Sequence, residues 1–262
     1  RPELPESTGT WLENTWPTRL TAHVGGAAIG LGSRDPESAH NQVVATDISI
    51  TGGTVNAYSR DCGSGIGGAY NASVASIEIG GSAKVYAVGS GGCAPIGGGY
   101  AGAGGQSIDI NGSAEVIAEV LDYYWQDVEG DVRPEGTEPG SAAAYESSYT
   151  YSQAAIGGGY GGKAGTIVIG DSAKVLAIAS PYAHPFYYWD EMYVNATVDR
   201  TKKQSQQFGG AGIGSGRFPV YAGEMDAERI VIRDTAQVYA YGGRRGAAIG
   251  GGYASNAPGL YR

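Results

Sequence analysis

Two stretches of this chain concentrate the side chains that recognise or cleave polar ligands. The first, about 121–153, carries Asp122, Tyr123, Tyr124, Trp125, Asp127, Glu129 and Asp131, followed by Tyr145, Tyr149 and Tyr151. The second, about 181–210, carries Tyr182, His184, Phe186, Tyr187, Tyr188, Trp189, Asp190, Glu191 and Tyr193. Tyrosine and tryptophan combine a flat apolar face with a polar tip, which suits them to stack on sugar rings while hydrogen-bonding hydroxyls, and suits them equally to protein interfaces. The candidate ligand-binding residues are therefore Tyr123, Tyr124, Trp125, His184, Tyr187, Tyr188, Trp189 and Asp190.

The acids among them open a second chemistry. Hydrolysis of a glycosidic bond needs two carboxylates at a defined separation, and eliminative cleavage needs a base together with calcium or an arginine to stabilise the developing carbanion. If the chain is catalytic, Asp122 with Asp127 or Glu129, and Asp190 with Glu191, are the pairs to carry it, with His184 as an alternative base. No motif singles out one pair, and acidic loop residues are most often solvated surface charge, so the expectation leans towards binding without catalysis. Calcium is the one cofactor left open. No histidine lies close in sequence to either cysteine and no Cys-x-x-Cys occurs, which argues against a transition-metal site.

These stretches interrupt a repeat. One phrase recurs as Ile29-Gly-Leu-Gly, Ile66-Gly-Gly-Ala-Tyr70, Ile96-Gly-Gly-Gly-Tyr100, Ile156-Gly-Gly-Gly-Tyr160, Ile213-Gly-Ser-Gly and Ile249-Gly-Gly-Gly-Tyr253. After each of the first five come two short alternating pieces. The first is Ile48/Ile50, Ile77/Ile79, Ile108/Ile110, Ile167/Ile169 and Ile230/Ile232; the second is Val55-Asn-Ala57, Val85-Tyr-Ala87, Val116-Ile-Ala118, Val175-Leu-Ala177 and Val238-Tyr-Ala240. Alternation of period two predicts strands, and the Ile-Gly phrase predicts a third strand with a glycine corner. Strands this short are stable only when like strands stack in parallel, about 4.8 Å apart, over a continuous core.

The predicted fold is thus all-β: a right-handed, three-sided parallel β-helix forming a single domain over 1–262, with Ile77, Ile79, Val85, Ala87 and Ile96 pointing inward. A phosphate-cradling loop is disfavoured, because Gly-Gly-Lys163-Ala-Gly lacks the required Lys-Ser/Thr ending and no helix pattern follows.

Equal positions in consecutive coils are neighbours in space, which makes three further predictions. Both insertions follow the Val-x-Ala piece and end before the next Ile-Gly phrase, so they should emerge side by side and could form one composite site. Tyr70, Tyr100 and Tyr160 should form a column, either as structural stacking or as an aromatic strip for a glycan. Cys62 and Cys93 fall at nearly matching positions of adjacent coils, where a disulfide is feasible and two buried thiols are the alternative. On the outward side of the Val-x-Ala piece, Tyr86, Ile117, Leu176 and Tyr239 form an apolar stripe, and insertion aromatics that fold back to cover it are the packing alternative to an exposed binding platform. On the outward side of the Ile-x-Ile piece lie Ser49, Glu78, Asp109, Val168 and Val231, of which only Glu78 and Asp109 could form an acidic pair.

Composition narrows the function classes. Glycine supplies 46 of 262 residues without a Gly-X-Y period, which excludes collagen, and 42% hydrophobic against 16% charged residues argues for a packed chain. A net charge of −9, with no basic run beyond Lys202-Lys203 and Arg244-Arg245, disfavours nucleic acid as a partner. No apolar stretch approaches the roughly 20 residues of a membrane-spanning helix, and the opening Arg-Pro-Glu-Leu-Pro-Glu is no signal peptide. The sequence reads as a piece of a longer protein.

The repeat grammar from about Ala27 to Tyr253 resembles the glycine-rich, pectate-lyase-like β-helix modules of large bacterial surface proteins, several of them carbohydrate-binding. That resemblance implies an extracellular location, secreted or on the cell surface, and a glycan or host surface glycoprotein as partner. It carries no active-site motif. Three functions are therefore weighed: a non-catalytic glycan-binding or adhesin module, a glycoside hydrolase or polysaccharide lyase, and a domain that binds a host protein such as an immunoglobulin or mucin.

Overall fold

A computed structural model describes residues 20–22, 26–32, 44–59, 63–100, 107–120, 153–179, 210–216, 218–219, 229–243, 246–252 and 254–255. Among these residues every regular element is a strand, and all strand pairings are parallel. Three stacked sheets make the chain a three-sided right-handed parallel β-helix. One sheet holds the Ile-Gly pairs, Ile29–Gly30, Ile66–Gly67, Ile96–Gly97, Ile156–Gly157, Ile213–Gly214 and Ile249–Gly250. The second holds Val44–Ile50, Val74–Ile79, Ser107–Ile110, Thr166–Ile169 and Arg229–Ile232; the third holds Thr54–Ser59, Lys84–Gly89, Glu115–Val120, Lys174–Ile178 and Gln237–Tyr241. We call these the Ile-Gly, Ile-x-Ile and Val-x-Ala sheets.

The register is the one that the repeats dictate. Ile77 pairs with Ile48 and Ile108, Val116 with Val85 and Val175, and Ile156 with Ile96 and Ile213. A slip of one residue would turn every isoleucine to the outside, so burial of one face fixes the pairing. Ile77, Ile79, Val85, Ala87 and Ile96 are at most 1% exposed, as predicted, and the inner isoleucine ladders run unbroken through the core. Each fully buried isoleucine contributes about 1.5–3 kcal/mol by leaving water.

Two corners show why the repeat keeps its small residues. In the Ile-Gly sheet the glycine after each isoleucine has φ between 127° and 139°, a region essentially closed to other residues. A Cβ on Gly97 would also fall far inside contact distance of the Gly157 carbonyl in the next coil. The glycine therefore belongs to the strand itself and lets successive backbones approach.

At the corner between the other two sheets, Gly81, Gly112, Asp171 and Asp234 take the left-handed conformation, with φ of 60°, 65°, 55° and 60°. Aspartate tolerates it and adds a rivet. Gly112 N–H donates to the Asp171 carboxylate at 2.8 Å, and Asp171 N–H to the Asp234 carboxylate at 3.1 Å. Beside them, the hydroxyls of Ser113, Ser172 and Thr235 donate to the carbonyls of Gly81, Gly112 and Asp171, one coil back each time.

Two elements were not anticipated. Leu20–Ala22 adds a strand to the Val-x-Ala sheet ahead of the first Ile-Gly phrase, and Phe218–Pro219 pairs with Ala254–Ser255 in a separate two-stranded sheet.

Candidate functional site

The two insertions are rooted on neighbouring strands at both ends. Glu115–Val120 runs beside Lys174–Ile178, with Glu119 opposite Ile178, and these strands precede the first and second insertion respectively. The chain returns on neighbours as well: Ile156 lies opposite Ile213, and Ala155 N–H donates to the Ala211 carbonyl at 3.2 Å. Parallel neighbours lie about 4.8 Å apart, so the four roots form a compact frame on one corner of the solenoid. The proposed catalytic and ligand-binding residues themselves, Asp122, Tyr123, Tyr124, Trp125, Asp127, His184, Tyr187, Tyr188, Trp189, Asp190 and Glu191, lie outside the described residues.

Next to the roots, the outward face of the Val-x-Ala sheet is buried. Ile117, Leu176 and Ile178 are 3%, 9% and 1% exposed although they point away from the core, and they form a second apolar cluster with Tyr86, Tyr239 and Tyr241 against it. Burial of this stripe is what packing duty for the insertions would require.

One carboxylate sits inside this apolar patch. Glu119 is 9% exposed and lies between Val88 and Ile178 in its column. The Tyr86 hydroxyl donates to Glu119 Oε2 at 2.7 Å, and the Tyr86 ring meets Tyr58 edge-on with centroids 5.4 Å apart. Burial pushes the Glu119 carboxyl above the ordinary carboxylate value, and the hydrogen bond from Tyr86 partly offsets that. Sequence reasoning passed over Glu119. The available signal was alternation, because Val116, Ala118 and Val120 point inward and so place Glu119 outward in an otherwise apolar stripe.

The tyrosine column forms as expected. Tyr70 and Tyr100 stack with centroids 5.0 Å apart and planes 7° from parallel, and Tyr100 and Tyr160 with 5.1 Å and 15°. Both faces of Tyr100 are thereby occupied. Sugar stacking needs an open ring face, and the middle ring of this column has none. Structural stacking accounts for the column, and a continuous glycan-stacking strip does not.

The remaining candidates divide. Cys93 is fully buried and its Sγ accepts the Tyr100 N–H at 3.1 Å; Cys62 lies outside the described residues, and so does the proposed pairing. Glu78 and Asp109 do lie on adjacent coils with Ser49 above them. Glu78, exposed, accepts from the Ser49 hydroxyl at 3.1 Å, and Asp109, half-buried beside Val168, accepts from the Asn111 amide at 3.2 Å, so each is held by a neutral partner. Among the described residues, no group of three or more histidine, cysteine, aspartate or glutamate side chains is arranged to hold a metal ion, and no helix is long and apolar enough to cross a membrane, which says nothing of a β-barrel. No family model, no curated protein and no solved structure matches the chain.

Proposed function

We propose that this chain is a non-catalytic glycan-binding or adhesive module of the glycine-rich, pectate-lyase-like β-helix kind, displayed outside a bacterial cell, with its two aromatic insertions as the recognition surface. The observation that carries the reading is the shared root: Glu119 opposite Ile178 at the exits and Ile156 opposite Ile213 at the returns. Two segments rich in tyrosine, tryptophan and acids that leave and re-enter a rigid scaffold on adjacent strands are tethered within reach of one ligand. The acids interleaved with the rings supply hydrogen-bond acceptors for hydroxyls, and the stiff sheets beneath hold the roots in place.

The test is binding to a glycan array by the intact chain and by Trp125→Ala, Tyr188→Ala and Trp189→Ala. The reading expects a defined set of glycans to be bound and at least about a tenfold loss in each tryptophan variant, which corresponds to about 1.4 kcal/mol. Undiminished binding in the triple variant would overturn it. Release of sugar products, lost on Asp190→Asn or Glu191→Gln, would replace it with a hydrolase or lyase. Capture of a host protein that survives deglycosylation would replace it with a protein-binding domain.

A further inference from the structure

The corner between the Ile-x-Ile and Val-x-Ala sheets holds the one Asn-Gly pair of the chain, Asn111-Gly112. That dipeptide carries its own reaction. The backbone nitrogen of the glycine, unhindered by a side chain, can attack the asparagine Cγ. The new N–Cγ bond closes a succinimide ring as the Cγ–Nδ2 bond breaks, and ammonia leaves with the proton from the glycine nitrogen. Water then opens the ring to aspartate, or to isoaspartate, in which the main chain runs through Cγ. In the neighbouring coils Gly80 and Gly170 take the place of Asn111, so the reactive side chain is confined to this coil of the three.

Every group that the reaction must move is held. The Asn111 side-chain amide donates to Asp109 at 3.2 Å, and its oxygen lies over Gly80, in the space where a side chain there would stand. The Gly112 N–H donates to the Asp171 carboxylate of the next coil at 2.8 Å. On either side of the pair, Asn111 N–H donates to the Ile79 carbonyl at 2.9 Å and Ser113 N–H to the Gly81 carbonyl at 2.7 Å, which pins the main chain to the coil before. Electrostatics acts in the same direction. The attacking nitrogen must lose its proton, and the negative charge then left would face the Asp171 carboxylate.

We propose that Asn111 is a self-modification site gated by the stack of coils: Asp109 and Asp171 hold it unreactive while the coils are closed, and it converts when this corner opens. Opening of that kind is local, because each coil of a solenoid contacts only its neighbours. The conversion is one-way. Aspartate at this position would set a second carboxylate against Asp109 and lose the amide donor. Isoaspartate would lengthen the main chain between two registered strands, Ser107–Ile110 and Glu115–Val120. A converted corner therefore cannot re-form the bonds that protected it, and each opening that ends in conversion is kept as a permanent weakness in the ladder. The chemistry needs only water and is independent of any ligand.

Peptide mass spectrometry after incubation in mildly alkaline buffer reads the conversion, through the small mass gain on exchange of amide for acid and the separation of aspartate from isoaspartate peptides. The variants Asp171→Gly and Asp109→Val each install what a neighbouring coil already carries at that position, as at Gly112 and Val168, and each removes one of the two restraints. The proposal expects Asn111 to convert at least about tenfold more slowly in the folded chain than in the urea-unfolded chain. Each variant, with far-UV circular dichroism unchanged, should convert at least about threefold faster than the folded parent, while Asn71, at a different corner, converts no faster. The purified converted chain should unfold at a lower midpoint than the parent. Equal rates in folded and unfolded chain, variants no faster than the folded parent, acceleration shared equally by Asn71, or a converted chain with the parent's midpoint would each overturn it.

Discussion

The Ile-x-Ile and Val-x-Ala sheets are built from the same kind of short parallel strand, yet their outward faces live in different surroundings. Outside the Ile-x-Ile sheet, Asp47, Ser49 and Glu78 are exposed and tie neighbouring coils through hydroxyl-to-carboxylate hydrogen bonds. Outside the Val-x-Ala sheet, Ile117, Leu176 and Ile178 are as buried as a core, with Glu119 among them. A solenoid face needs only one buried side. The second burial includes the two coils that launch the insertions and extends to Val88 and Asn56 in the coils before them.

The contrast breaks most visibly under truncation. Ile178→Ala should cost about 2–4 kcal/mol, as for a core isoleucine, while Val168→Ala, outward on the other sheet, should stay within about 1 kcal/mol; urea denaturation of the two variants reads the difference. If both cost the same, the covered face is no second core.

A smaller effect separates the carboxylates. Burial raises the folded-state value of Glu119 above its ordinary 4.5, so its contribution to stability is fullest below that value and is lost as pH rises through the folded one. Glu119→Gln keeps a hydrogen-bonding partner for Tyr86 and should flatten that slope, raising stability at pH 8 by on the order of 1 kcal/mol with little change at pH 4. Glu78→Gln, on the exposed face, should change stability by no more than about 0.5 kcal/mol.

Tyr86→Phe sharpens the same point from the donor side. Loss of the hydroxyl should cost about 1 kcal/mol at pH 8 and shift the Glu119 titration further upward, measurable by NMR of the labelled carboxyl. The smallest change belongs to the exposed ion ladder, in which Lys84 and Lys174 reach Glu115 at 3.2 and 3.9 Å. Lys174→Ala should alter stability by no more than about 0.5 kcal/mol, less still in high salt.

Much of the scaffold was legible because its information is periodic. Ile77, Ile108 and Ile167 name their own neighbours once the repeat is aligned, and the same alignment predicted the tyrosine column and the adjacency of the insertion roots. What escaped has local causes. Leu20–Ala22 precedes the first Ile-Gly phrase and offers no repeat to align. Glu119 is the second of two glutamates in its strand, and nothing in the sequence separates it from the half-buried, ion-paired Glu115, because its burial depends on what covers the sheet. The glycine after each isoleucine was read as a corner, but the constraint on it is mutual: the next coil's backbone fills the space where its side chain would stand. The recognition residues of the insertions obey no period, so alignment of the coils says where those segments are attached and nothing about their shape.

The paired roots also bear on how such a chain can change over time. Ile96 and Ile156 are 60 residues apart where Ile66 and Ile96 are 30 apart, yet the strands meet in the same register. Doubling a connection in this way adds only about 0.6 kcal/mol of loop-closure entropy. The frame can therefore exchange one excursion for another of different length and composition while its ladders stay intact, which makes the corner a natural cassette position for diversification.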